Sequence, residues 1–209
     1  MCIRDRDVLI VRVETDAGVH GIGEVDSAPM AVKGVIEGPY CHPLNSGLAE
    51  LLIGEDPLQT EFLWHKMYRE NIYAGRRGIA IHAMSGIDMA LWDIAGKLWQ
   101  VPVYRLLGGP CRDRIWRYPS PKAIKIGPGG SKPFVGTPTE IADLVGRVKQ
   151  ARERVGPDGA VMFDAHSCLP PPILQQFARH LQSDSLLFLE ESWVPGNIEV
   201  MRKIRNAVP

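Results

Sequence analysis

The amino-acid sequence predicts an α+β domain followed by a parallel β/α domain. Paired short strands and then long amphipathic helices fill the first half. In the second half, short apolar strands alternate with helices, and ionisable residues fall at the C-terminal ends of those strands. A block of strands followed by helices signals α+β packing, whereas alternation signals a parallel sheet joined by right-handed crossovers.

Residues 1–6 (MCIRDR) lack the basic and apolar regions of a signal peptide and read as a non-native leader. Residues 8–14 and 19–25 read as strands around Asp16-Ala17-Gly18, a hairpin signal with glycine at the turn. Helices are expected at 45–53 and 57–73, the second with Pro57 in its first turn. The longest helical signal is 77–100, where Ile81, Met84, Ile87, Leu91, Ile94 and Leu98 recur at three- and four-residue steps. Gly86 interrupts it at a cost of about 1 kcal/mol against alanine, which points to close packing at that position. A short helix and exit loop follow, and Gly108-Gly109-Pro110 sets a domain boundary near 112. The first domain is therefore read as 7–112 and the second as 113–209.

In the second domain, strands are expected at 115–118, 122–126, 160–164 and 186–190. Their apolar runs fit strands buried on both faces. Thr137, Pro138 and Glu140 spell a capped helix start, with Ile141, Leu144, Val148 and Ala151 as its buried face. Further helices are expected at 171–182 and 197–207. The Gly/Pro-rich loop 127–136 lacks the spacing of a phosphate-binding loop.

Composition narrows the function classes. The chain has 209 residues, and its 24 basic residues balance 24 acidic ones, so no basic surplus points to nucleic acid. No apolar run approaches the roughly 18 residues of a membrane span. Cys2, Cys41, Cys111 and Cys168 are scattered without a CxxC pair, which argues against a zinc site and for reduced thiols in a cytoplasmic protein.

The strand ends carry the chemistry. Asp164 and Glu190 close two successive strands, and adjacent parallel strands lie about 4.8 Å apart. Two bare carboxylates that close repel each other, and a hard divalent cation such as magnesium removes the conflict. The bland alternative is that both acids cap helices or pair with lysines. His166 follows Asp164 by two residues, and in extended geometry both would point the same way, placing an imidazole beside the metal for proton transfer. It could equally be a half-buried loop histidine. Lys125 ends the strand 122–126. A dication and a dry pocket would disfavour its ammonium, making it a base, or it could stay charged and hold a substrate carboxylate. Snorkelling to solvent is the alternative.

Several segments together resemble the enolase superfamily, in its mandelate racemase/muconate lactonizing branch. They are VETDAGVHGIGE at 13–24, SGIDMALWDIAGK at 85–97 followed by PVYRLLGG at 102–109, DAH at 164–166, and FLEES at 188–192. The resemblance implies an N-terminal α+β capping domain and the first half of a modified TIM (β/α) barrel. It implies one Mg²⁺ bound by acids on consecutive strands, with Asp164 and Glu190 as the first two and Glu191 behind them. Substrates would be small carboxylates, the common step being removal of the proton α to the carboxylate, with the ion stabilising the enediolate. The family's strand-two KxK pattern keeps Lys125 but has Ala123 at its first position, and Ser192 stands where proline is usual. A histidine two residues after the metal aspartate resembles the acid-sugar dehydratases, where it serves as general acid toward the departing β-hydroxyl.

A complete barrel has eight strands in about 250 residues, and about four are legible here. The chain therefore reads as a fragment truncated at both ends and inactive alone, of a longer enzyme that forms a homo-oligomer. The third metal acid and the later-strand base would lie outside it. Two other readings remain: a racemase, epimerase or cycloisomerase with Lys125 as base, or a non-catalytic remnant whose helix 77–100 mediates assembly. No residue identifies the acid sugar.

Overall fold

The computed structural model describes residues 7–25, 27–115, 117–129, 135–181, 186–194 and 196–207. The leader reading at 1–6, Trp116 of the first barrel-strand candidate and the middle of the glycine-rich loop lie outside them. Contacts divide the chain into two compact units, Met1–Asp113 and Arg114–Pro209. No described helix is long and apolar enough to cross a membrane.

In the first unit, β1 (Leu9–Glu14) and β2 (His20–Val25) form an antiparallel hairpin whose register runs from Leu9 opposite Val25 to Glu14 opposite His20. Gly18 takes φ +76°, as the turn requires. Five helices follow: α1 (Pro29–Glu37), α2 (Leu48–Leu52), α3 (Thr60–Glu70), α4 (Ile79–Trp99) and α5 (Val103–Leu106). Helix α1 was not expected from the sequence: its stripe, Val32 with Val35 and Ile36 packed beside it, is confined to nine residues, shorter than the window in which a helical period is read. Helices α2 and α3 are shorter than expected.

Helix α4 is the axis of this unit. Ala80, Ala83, Met84, Ile87, Ala90, Leu91, Ile94 and Ala95 are buried, whereas Leu98 in the last turn is 41% exposed and falls off the expected stripe. Strand β2 lies backbone against backbone on α4. A Cβ on Gly21 would overlap the carbonyl of Ala90, one on Gly23 would overlap that of Gly86, and one on Gly86 would come within 2.6 Å of Val25. The helix-breaking tendency of Gly86 is thus offset by contact no other residue permits. The same face is pinned by polar bonds. Asp93 accepts from Ile22 N–H (2.9 Å), and Lys97 Nζ donates to Asp93 and to the His20 carbonyl, both at 2.7 Å. The Lys97 bond holds the Asp93 carboxyl below its usual range.

The second unit alternates β3 (Ala123–Ile126), α6 (Pro138–Val155), β4 (Ala160–Asp164), α7 (Pro171–His180), β5 (Phe188–Glu190) and α8 (Ile198–Ala207). The sheet order is β3-β4-β5, all parallel. Helix α6 starts at the expected capping box: Thr137 Oγ1 accepts from Glu140 N–H at 3.2 Å, and Glu140 accepts from Thr137 N–H at 2.9 Å.

Among the described residues, helices cover one face of the sheet. Val161 and Phe163, with Ile124, Ile126 and Leu189, pack against Leu144 and Val148 of α6, Leu174 and Phe177 of α7, and Ile204 of α8. Alternation along the strands sends Ala123, Lys125, Met162, Asp164, Phe188 and Glu190 to the other face. Sequential strands with every helix on one side are the geometry of a β/α barrel wall. A doubly wound sheet would carry helices on both faces.

Two expectations about strands fail. Ile115, Arg117 and Tyr118 form no strand, and Ile115 is 86% exposed. A parallel neighbour for β3 would need a crossover of about a dozen residues, but Pro119, Ser120, Pro121 and Lys122 alone intervene. Ser120 instead closes a tight bridge with Ala123, and the flanking prolines have no N–H to offer a ladder. The described residues of the second unit hold three strands in place of about four. Nor is every strand buried on both faces: β4 is, but Phe188 at the β5 edge is 42% exposed.

The backbone contact between β2 and α4 predicts a contrast between two glycines. Gly23→Ala should destabilise the protein by about 2 kcal/mol or more in urea unfolding, because the backbones must separate. Gly34→Ala, in an exposed turn of α1 with open space around it, should stabilise by about 0.5–1 kcal/mol. Equal effects would contradict the packing described.

Candidate active site

The residues singled out by sequence meet at the C-terminal edge of the β3-β4-β5 sheet. Register places Asp164 directly opposite Glu190. Lys125 is opposite Met162, one side-chain layer below the two acids on the same face. That layer spacing is about 6.6 Å at a rise of 3.3 Å per residue, and a lysine stem spans it. Lys125 Nζ accordingly lies 2.8 Å from Asp164 Oδ2 and 2.5 Å from Glu190 Oε2.

Asp164 is the hub. Its side chain is 10% exposed, against 39% for Glu190. Burial pushes its carboxyl upward, but the Lys125 bond and the His166 backbone N–H, which donates to Oδ1 at 3.2 Å, outweigh it and leave the pKa lowered. Asp164 therefore stays an anion. The bonds of Lys125 to Asp164 and then Glu190 hold its pKa well above the ordinary lysine value. The disfavoured ammonium expected from the sequence concerned this lysine beside a dication. The ammonium lies between the two acids and offsets their mutual repulsion.

His166 reaches the site by another route than the one expected. Extended geometry stops at Asp164, and His166 and Ser167 take left-handed φ values of 48° and 52°. The turn brings His166 Nε2 to 3.0 Å from Asp164 Oδ2 while leaving the imidazole 64% exposed. Glu191 is also left-handed, at φ 43°. Three non-glycine residues in this region within two adjoining loops mark a locally strained edge. Cross-loop bonds hold it: Ala165 N–H to Glu190 O at 3.0 Å and Ser167 N–H to Glu191 O at 2.9 Å.

Two donor sets converge on Asp164. One is the in-register pair with Glu190. The other joins Asp164, His166 and Glu191, whose ligand atoms all lie within 4.8 Å of one another. The first is all oxygen and fits a hard ion such as magnesium; the second includes a nitrogen donor and is softer. A Glu191 carboxylate oxygen thus stands within 4.8 Å of ligand atoms of Asp164 and His166. Sequence reasoning also missed Tyr118, whose ring centroid is 6.0 Å from Lys125 Nζ. Reading 115–118 as a strand concealed it.

Residues 2–108 match the mandelate racemase / muconate lactonizing enzyme N-terminal domain, and residues 114–209 match the enolase C-terminal domain-like family. An arabinonate dehydratase of Saccharolobus solfataricus is 34% identical, the match covering 88% of this chain and 52% of the relative. A D-galactonate dehydratase of Ralstonia pickettii is 32% identical over 94% of this chain and 54% of its own. An L-rhamnonate dehydratase of Saccharopolyspora erythraea is 29% identical over 96% and 52%. The chain spans about half the length of these curated relatives. Among solved structures, a mandelate racemase/muconate lactonizing enzyme-like protein from Rubrobacter xylanophilus superposes with TM-score 0.79 at 28% identity, covering 97% of this chain and 64% of that one. A racemase from Streptomyces coelicolor with bound magnesium superposes with TM-score 0.71 at 26% identity, covering 96% and 58%.

The unequal burial of the two acids sets their contributions to stability. In chelator-treated protein, Asp164→Asn should cost about 2 kcal/mol in urea unfolding, since a buried charge-assisted bond is lost. Glu190→Gln should cost less than about 1 kcal/mol, its pair being screened by solvent. The reverse order would contradict the hub role of Asp164.

Proposed function

The chain belongs to the mandelate racemase / muconate lactonizing enzyme family, with an enolase-type C-terminal domain, and from that premise we propose that it carries part of the active site of a magnesium-dependent acid-sugar dehydratase. The observation that carries the reading is the convergence of Asp164, Glu190 and His166 at one strand edge. It is supported by relatives named as dehydratases of arabinonate, galactonate and rhamnonate. The proposal concerns a protein of the relatives' length, about half of which this chain spans.

Asp164 and Glu190 would hold the magnesium ion, and the ion would supply the positive charge that stabilises the substrate's enediolate as the carbon next to its carboxylate gives its proton to a general base that the described residues do not supply. Asp164 serves through a carboxylate kept ionised by its neighbours. His166 keeps its ring at the exposed rim of the edge, bonded to Asp164 Oδ2 through Nε2. From there it would give a proton to the departing β-hydroxyl, which leaves as water. The resulting enol becomes a 2-keto-3-deoxy acid. Lys125 bridges Asp164 and Glu190 as an ammonium, and in the dehydration reading it has a charge-placing role.

The test is turnover of a panel of acid sugars by full-length protein with magnesium. Formation of a 2-keto-3-deoxy product is expected, with Asp164→Asn abolishing it and His166→Asn lowering kcat about 10²- to 10⁴-fold. Solvent deuterium at the α carbon of recovered substrate without dehydration would point to racemisation. Unchanged turnover in Asp164→Asn would overturn the assignment.

A further inference from the structure

We propose that Lys125 is a built-in stand-in for the divalent cation, an ammonium that holds Asp164 and Glu190 together in the metal-free protein and must leave when the ion binds. The inference rests on the functional reading above and adds a competition to it. The ammonium contacts Oδ2 of Asp164 and Oε2 of Glu190, one oxygen from each acid that would bind the ion. Two carboxylates and one ammonium leave a net charge of −1 on these three groups. A dication added beside a fixed ammonium would put like charges within a few ångströms in a partly buried site, where such repulsion is poorly screened.

The lysine is built to give way. It reaches the acids from one layer below on β3, through a flexible stem whose side chain is 18% exposed. Its ammonium already lies 6.0 Å from the Tyr118 ring centroid, a face that can accept a cation moving off the carboxylates. Asp164 does not depend on the lysine for position, since the His166 N–H also holds its Oδ1, and the ladder keeps the backbones of both acids on one rung. Removing the ammonium therefore leaves two uncompensated carboxylates side by side.

A stand-in and a mere organiser predict opposite signs. If Lys125 competes with the ion, removing it tightens metal binding. If it only organises the acids, removing it weakens binding. Full-length wild type, Lys125→Met, Lys125→Gln and Asp164→Asn are titrated with magnesium chloride by calorimetry, with thermal unfolding followed in parallel. Both lysine variants should melt lower than wild type in chelator, bind magnesium about tenfold or more tightly, and gain more melting temperature from it. Asp164→Asn should bind none. Variant affinities equal to or below wild type overturn the stand-in while leaving the metal site intact. Magnesium binding by neither wild type nor the lysine variants overturns the functional reading, and the stand-in falls with it. Should Lys125→Met not fold, Lys125→Gln and the wild type decide the matter. Magnesium should raise the rate of reductive methylation of Lys125 in wild type several-fold, and an unchanged or lower rate overturns the proposal.

Discussion

Two carboxylates face each other across one rung of a parallel ladder, Asp164 on β4 and Glu190 on β5. Left alone, such a pair would repel, and one acid would be driven to protonate. Here a lysine from β3 bridges them, and Asp164 stays ionised despite its burial. The arrangement depends on register. Side chains alternate along a strand, so a one-residue slip of β4 would turn Asp164 toward the helices and Phe163 toward the acids. Phe163 prevents this: it is fully buried and packs on Phe177 of α7, with ring centroids 4.7 Å apart. The hydrophobic core behind the sheet thus fixes the electrostatics in front of it.

The same alternation explains why one face carries chemistry. Helices α6, α7 and α8 all cover the face bearing Val161 and Phe163, because successive right-handed crossovers in a sheet of order β3-β4-β5 return to the same side. The opposite face keeps its polar groups at the strand tips. Beyond those tips the backbone turns through left-handed residues at His166, Ser167 and Glu191. The turns carry the imidazole and the second glutamate alongside Asp164.

Features that rest on local chemistry were legible in the sequence. The Thr137/Glu140 capping box, the strand ends at Asp164 and Glu190, and the close approach at Gly86 each follow from a few adjacent residues. Features that depend on distant partners were not. Nothing local distinguishes 115–118 from a strand until the short connection to β3 is weighed. Helix α1 spans nine residues, too few for its Val32, Val35 and Ile36 stripe to stand out as a period. The partner of Lys125 could not be named without the β3–β4 register, which sets the layer from which it reaches upward. The left-handed turn at Glu191 is likewise a tertiary outcome that no adjacent residue signals. The motif resemblance points to the strand tips but says nothing of an ammonium lying between them.

The central claim is that the in-register pair Asp164–Glu190, and not the neighbouring group Asp164–His166–Glu191, is the cation-binding pair. Anomalous scattering from crystals of the full-length protein soaked in manganese locates the ion directly. The account predicts a peak between the Asp164 and Glu190 carboxylates, with Lys125 Nζ withdrawn from both. A peak bounded by Asp164, His166 and Glu191, with Lys125 still bridging Asp164 and Glu190, would contradict it.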